Sequence, residues 1–350
     1  MNLLPLRSRR VVLTLLLTLL CAASPGSART QLPPAREVAG RLLYHDISFK
    51  KTYFARANAR TTETLLTTHG EPIMWPDASQ YLEYKIGGGG KNFDRITVYA
   101  TATRQVVYQL SEVPYFCGAN IRPSPISKKL ILTQCYKNPQ SNKGVVAVFD
   151  LANGTAVFSQ PDQPERHKYR WLPDGRLLRV HDETGALAVT DVGRNASWHS
   201  LGRIAVPRGR RIRSFEVNPQ GTMLALAFQG YSDFAREVVS GESDIWVSKI
   251  DGSSLEQFTA MGYVFDPIWS PDGSYIAFNV DTGRHASGGY GGPAGNDHGT
   301  SYLWYAPASA RNMSNILKGF AHPFATQLRR RYPSGNVSPL VGVHLWAWVQ

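Results

Sequence analysis

The sequence predicts an all-β fold, a six-bladed β-propeller with four-stranded antiparallel blades, preceded by a signal peptide. Three observations carry this expectation. A β-patterned unit recurs six times along the chain, with core positions spaced 39, 48, 48, 46 and 52 residues apart. Turn residues fall at matching places in the copies. Long helical periodicity is absent, so α/β folds do not compete.

The chain opens with an address rather than with structure. Arg7, Arg9 and Arg10 form a positive region, Val11 to Ala23 is apolar, and Gly26-Ser27-Ala28 offers a small-residue cleavage site. Residues 1–28 therefore read as a secretory signal peptide. Ser8-Arg9-Arg10-Val11-Val12-Leu13 also fits a twin-arginine signal, and Sec and twin-arginine export both stay open. Removing the segment removes three Arg and no acid, which takes the formal charge from +12 to +9. No later apolar run approaches the 18 or so residues of a membrane span.

Composition sets the outer bounds. Of 350 residues, 43% are hydrophobic and 18% charged, which excludes intrinsic disorder. The length is ample for a large core. A basic balance favours anionic partners and says nothing of fold.

The clearest unit is Ile245 to Asn279. Ile245-Trp246-Val247 runs into a hairpin at Asp251-Gly252, and Leu255 to Thr259 returns. Asp266 to Trp269 is a third strand, Pro271-Asp272-Gly273 a turn, and Tyr275 to Phe278 a fourth strand. The turn-and-strand half recurs around Leu43, Leu82, Leu130, Leu178, Leu224 and Ile276. The hairpin half recurs at Tyr53, Ile96, Val146, Leu187, Ile245 and Leu303. One four-stranded unit cannot bury both faces alone, whereas radial repetition stacks each sheet on its neighbours. A β-sandwich or solenoid has the same strand count but does not account for period and turn chemistry together.

These units resemble the TolB-like propeller repeat, which couples an I-W/Y-V strand and a D-G hairpin to a W-S-P-D-G turn and an I-A-F strand. The match is close over residues 245–279 and weakens across residues 40–307. The likeness is to the repeat and not to TolB itself, whose α/β domain has no counterpart before Gly40. No copy carries the Gly-His and Trp-Asp signature of WD repeats. The resemblance implies an interaction role, since such propellers dock partners at the channel mouth.

The expected division is 1–28 signal peptide, 29–39 linker or closing strand, 40–318 propeller, and 319–350 a divergent closing segment or tail. The first unit starts at its second strand, so its innermost strand must come from elsewhere. Leu32 to Val38, His322-Pro323-Phe324 or Val341 to Trp348 could supply it.

With strands ordered A to D from the axis outward, the Pro-Asp-Gly turns join A to B and the Asp-Gly hairpins join C to D, on one face. The B-to-C and D-to-A connections lie on the other face and are the longer ones. Gly87 to Asp94, Tyr136 to Gly144, Gly230 to Asp244 and Asp281 to Thr300 are the expected B-to-C loops. Long loops around a channel are the natural binding surface of such a scaffold.

Candidate binding residues follow. Arg166, His167, Lys168 and Arg170 are expected in one D-to-A loop, and Arg208, Arg210, Arg211 and Arg213 in the next. The Gly-rich loop before Thr300 contributes His285, Tyr290, Asp297 and His298. Side by side, the two basic clusters would attract acidic surfaces. The plain alternatives are a solubilising surface and a solvated insertion. Trp75, Trp171 and Trp269 read as packing between blades. Cys117 and Cys135 are expected on strands A and B of one blade, nearly opposite across a turn centred at Ile126, and able to form a disulfide. Asn153, Asn195, Asn312 and Asn336 head Asn-x-Ser/Thr sites, relevant to a glycosylating secretory path.

The expected function is non-enzymatic binding. An exported, periplasmic or secreted monomer would engage a protein or an anionic cell-envelope partner through its long-loop face, without a cofactor and without nucleic acid. No G-x-S-x-G elbow or Cys-x-x-Cys occurs. The alternative is a metal-dependent lyase on acidic polysaccharide. It would require three or more of His167, His285, His298, His322 and His344 to converge.

Overall fold

The computed structural model describes residues 38–46, 51–56, 64–67, 72–86, 93–113, 121–138, 143–232, 237–262, 264–281, 301–314, 324–331, 337–339 and 343–349. The signal segment, Cys117, His285, Tyr290, Asp297, His298 and His322 lie outside them. Residues 35–350 form one compact unit. No helix of the described residues is long and apolar enough to cross a membrane.

The strands run in chain order as three-strand and four-strand groups. β1 (Arg41–Asp46), β2 (Lys51–Arg56) and β3 (Thr64–Thr67) belong to blade 1. Blade 2 is β4 (Ile73–Met74), β5 (Gln80–Ile86), β6 (Phe93–Ala100) and β7 (Val106–Val113). Blade 3 is β8 (Arg122–Pro123), β9 (Leu130–Asn138), β10 (Lys143–Asp150) and β11 (Thr155–Asp162). Blade 4 is β12 (His167–Trp171), β13 (Leu177–His181), β14 (Ala186–Thr190) and β15 (His199–Arg203). Blade 5 is β16 (Arg210–Val217), β17 (Met223–Ser232), β18 (Glu237–Lys249) and β19 (Glu256–Gln257). Blade 6 is β20 (Val264–Trp269), β21 (Tyr275–Asp281), β22 (Ser301–Pro307) and β23 (Thr326–Gln327). A hairpin of β24 (Arg329–Arg331) and β25 (Val337–Pro339) leads to β26 (Val343–Val349), which pairs with β1 from Arg41↔Val349 to Asp46↔Val343. All pairings within the six sheets are antiparallel. The last strand is thus the innermost strand of the first blade, and the ring is closed by both ends of the propeller.

The turns explain themselves residue by residue. In blades 4, 5 and 6, Gly175, Gly221 and Gly273 hold φ of 88°, 70° and 72°, a region that favours glycine. Each donates its N–H back across the turn, Gly273 to Ser270 at 2.8 Å. The aspartate adds a second lock, as Asp272 Oδ1 accepts from Ser274 N at 3.0 Å and from Ser270 Oγ at 2.6 Å. In blade 2 Ala78 takes the glycine place, at φ 57°.

Six apolar clusters hold the ring, one at each blade junction. Leu43 and Val349 meet Met74 and Tyr81 between blades 1 and 2. Leu82 and Ile96 meet Ile131 and Phe149 between 2 and 3. Leu132 and Phe158 meet Tyr169 and Trp171 between 3 and 4. Leu178 and Val180 meet Phe215 and Leu226 between 4 and 5. Ile245 and Val247 meet Trp269 and Phe278 between 5 and 6. Ala277 and Leu303 meet Leu42, Tyr44 and Trp348 between 6 and 1. Inner-strand indoles stitch the same junctions: Trp171 Nε1 donates to Arg122 O at 2.8 Å, and Trp269 Nε1 to Glu216 O at 3.3 Å.

Four placements differ from the sequence expectation. Gly230 to Asp244 is mostly strand, because β17 and β18 continue pairing through Tyr231↔Val238 and Ser232↔Glu237. Leu130 starts its strand half-buried, and Ile131 takes the fully buried core place. The blade 3 turn is centred at Ser127, one residue later than expected, since Pro123 pairs with Ile131 and Arg122 with Leu132. The fourth concerns the basic clusters and defines the site.

Candidate functional site

Six innermost strands surround a central channel of about 690 Å³. Inner strands must point alternate side chains inward, so the turn prolines supply a ruler for which residues reach the lumen. Pro76, Pro125, Pro173, Pro219 and Pro271 themselves line one end. Three residues before each lies Ile73, Arg122, Arg170, Glu216 or Ile268, and every one of these lines the channel, joined by Ala347 of β26. Five residues before, in blades 4 to 6, lie Lys168, Ser214 and Asp266, which line it too.

The expected D-to-A loops are therefore shorter than expected. His167, Lys168 and Arg170 stand on β12, and Arg210, Arg211 and Arg213 on β16. Among the described candidates only Arg166 and Arg208 occupy the connecting turns, and both are exposed. The physical reason is that an inner strand facing a wet lumen carries polar residues, and these conceal it in a hydrophobicity pattern. Lys168, Arg170 and Arg213 are brought together in the channel. Arg210 and Arg211 turn aside, with Arg210 Nη1 4.0 Å from Asp244 Oδ2 and Arg211 Nη2 3.1 Å from Glu183 Oε1. Of the histidines named as a metal set, His167 and the strand position of His344 fall among the described residues, and His285, His298 and His322 lie outside them. Among the described residues no group of three or more His, Cys, Asp or Glu is placed to hold a metal ion.

Arg122, Glu216 and Asp266 were absent from the sequence candidates. Counting back from the turn prolines would have found all three. They complete an ionic arc that runs from blade 3 through blades 4 and 5 to Asp266 on blade 6. Arg170 Nε donates to Glu216 Oε1 at 2.8 Å, and Arg122 Nη2 stands 4.0 Å from the same oxygen. Arg170 Cζ lies 5.2 Å over the Phe215 ring, and Arg213 Cζ 5.0 Å over Phe265, which fixes both guanidinium planes. Arg122 keeps 39% of its side-chain exposure, yet its Nε is buried without a hydrogen-bond partner. The Arg170 charge, followed by burial, draws the Arg122 pKa down to about 10, against the opposing pull of Glu216 and Asp266. It stays protonated at neutral pH. Burial, aided by Arg170, lowers the Lys168 pKa as well. The opposite arc of the channel carries Ile73, Ile268 and Ala347.

His167 faces away from the arc, into a buried lock between blades 3 and 4. Its Nδ1 is 2.8 Å from Asp162 Oδ1, which also accepts from Tyr169 Oη at 2.6 Å. Gln134 Nε2 donates to Asp162 Oδ2 at 2.8 Å and to His167 O at 2.8 Å. Burial raises the Asp162 pKa, but the hydrogen bonds from His167, Tyr169 and Gln134 outweigh it, and the net shift is downward.

A crystal structure of TolB from Acinetobacter baumannii superposes with a TM-score of 0.55 over 91% of this chain and 68% of that one, at 16% identity. The chain carries the TolB-like propeller fold. An oligogalacturonate lyase in complex with manganese matches with a TM-score of 0.40 over 73% of this chain and 67% of that one, also at 16% identity. No family model and no curated protein matches the chain.

Proposed function

We propose that this TolB-like propeller is a non-enzymatic binding scaffold, exported to the periplasm or beyond as a monomer, that engages a protein or anionic cell-envelope partner. One observation carries the reading. Arg166 and Arg208 are exposed on the turns that lead into β12 and β16. Lys168, Arg170 and Arg213 continue the same two strands into the channel. Positive charge graded from mouth to interior steers an acidic partner toward the axis and raises its encounter rate.

Binding of the mature chain to immobilised poly-glutamate, with poly-lysine as control, tests the reading. The expected result is selective capture that weakens with added salt. Arg166→Gln combined with Arg208→Gln should slow association several-fold at low salt, since charges at an interface edge act mainly on the on-rate. Capture of both polymers alike would remove the anionic reading. Chelator-sensitive turnover of a uronate polymer would replace the scaffold with an enzyme.

A further inference from the structure

The channel has chemistry that the scaffold reading does not require. Its volume, about 690 Å³, is that of a small-molecule site rather than of a bare axial gap. Four cations line it, Arg122, Lys168, Arg170 and Arg213, against two acids, Glu216 and Asp266. Two positive charges therefore lack an internal counter-charge within the lumen. Glu216 already sits against Arg170 and near Arg122, so a carboxylate has been selected for that place by the fold itself. Arg122 Nε is a buried donor without a hydrogen-bond partner, while Lys168 is attracted by Asp182, Asp162 and Glu165, none of which lines the lumen. A buried donor left unpaired in this way is costly unless a ligand completes it. Facing them, Ile73, Ile268 and Ala347 present an apolar wall.

We propose that the channel binds a small dicarboxylate with an apolar body, its two anionic groups held by Arg122, Arg170 and Lys168 and its body against Ile73 and Ile268. The site deepens the scaffold reading by naming a ligand for the interior of the same channel. A guanidinium fork matches a carboxylate, and the mixed wall disfavours both inorganic anions and neutral rings. Glu216 competes with the ligand for Arg170, which makes it a built-in gate on affinity.

Calorimetric titration with isophthalate tests this, with benzoate, resorcinol and phosphate as controls on the wild-type protein. Isophthalate is expected to bind at least roughly tenfold tighter than any of the three, the scale of one charge-assisted hydrogen bond. Arg122→Gln and Arg170→Gln should each weaken it by roughly tenfold or more, and Glu216→Gln should tighten it. Ile73→Ser should weaken isophthalate while leaving succinate unchanged. Melting temperatures of the variants report folding separately, and the wild-type comparison stands even where a variant fails to fold. Equal binding of isophthalate, benzoate and resorcinol would overturn the proposal, as would tightest binding of phosphate. So would isophthalate binding that survives both arginine substitutions, or that weakens in Glu216→Gln. If those failures occur while salt-sensitive capture on poly-glutamate persists, the channel ligand is lost and the scaffold reading stands.

Discussion

Asp162 is buried between two blades and still prefers its charged form, because donors from His167, Tyr169 and Gln134 converge on it. A carboxyl held below its unfolded value, near 3.9, adds stability that is fully present above that value. The contribution is lost as pH falls through the lower, folded value. Asp162→Asn should therefore lower stability at pH 7 and flatten the acid limb of a stability–pH curve, measured by urea unfolding from neutral pH down to about pH 2. An unchanged acid limb would mean that other carboxylates dominate it. At this scale sequence was a poor guide to roles. His167 and Arg170 sit three strand positions apart and so on different faces, one turned to the inter-blade lock and one to the lumen, and neither composition nor charge runs separate them. The register of β12 does, and it becomes readable once Pro173 is used as the origin.

Strands B and C were legible because their residues satisfy two local constraints at once, apolar alternation and positive-φ turn glycines. Gly252, at φ 85° in the β18–β19 hairpin, shows how firmly such a position is specified. A Cβ there would stand 2.5 Å from the backbone carbonyl of Arg203 and 2.7 Å from Ile204 N, and backbone cannot move aside. Gly252→Ala should cost about 1–3 kcal/mol, from left-handed strain plus the contact. Gly221→Ala meets only Pro173 side-chain atoms beyond 3 Å and should cost about 1–2 kcal/mol, mostly strain. Paired denaturant melts check the order. Strand A was the least legible element outside blade 6, where Asp266 to Trp269 reads as a strand and lies within β20. In blades 2 and 3 it spans two residues, and in blades 4 and 5 it turns charged residues to a wet lumen, so no hydrophobic period marks it. The disulfide expectation depended on that strand. Cys135 is buried on β9 across from Val145. Non-reducing peptide mapping is expected to recover a Cys117–Cys135 cross-link, and reduction should then cost roughly 3 kcal/mol. A free-thiol count of two would cancel both.

The closing strand is legible in sequence only as one of three candidates, Val341 to Trp348, since β26 meets β1 across some three hundred residues of chain. What defines it is the geometry of a ring: blade 1 has three strands of its own, and a fourth must cover the otherwise open edge of β1. β26 does more than pair. Trp348 packs into the junction with blade 6 and Val349 into the junction with blade 2, while Trp348 Nε1 donates to Ala39 O at 3.0 Å. One strand thus belongs to two of the six apolar clusters. Junctions closed in a ring are coupled, because opening one leaves its two blades each held from one side only. Removing residues 341–350 should therefore lower the melting temperature by more than any single core truncation such as Leu224→Ala, itself expected to cost about 2–5 kcal/mol. It should also broaden the calorimetric transition, as blades 1, 2 and 6 melt ahead of blades 3 to 5. Trp348→Ala, which keeps the strand and deletes its largest anchor, should fall between the two. A truncated chain that melts as sharply and as high as the full one would mean that the propeller holds as an open arc, with β26 a passenger on its edge.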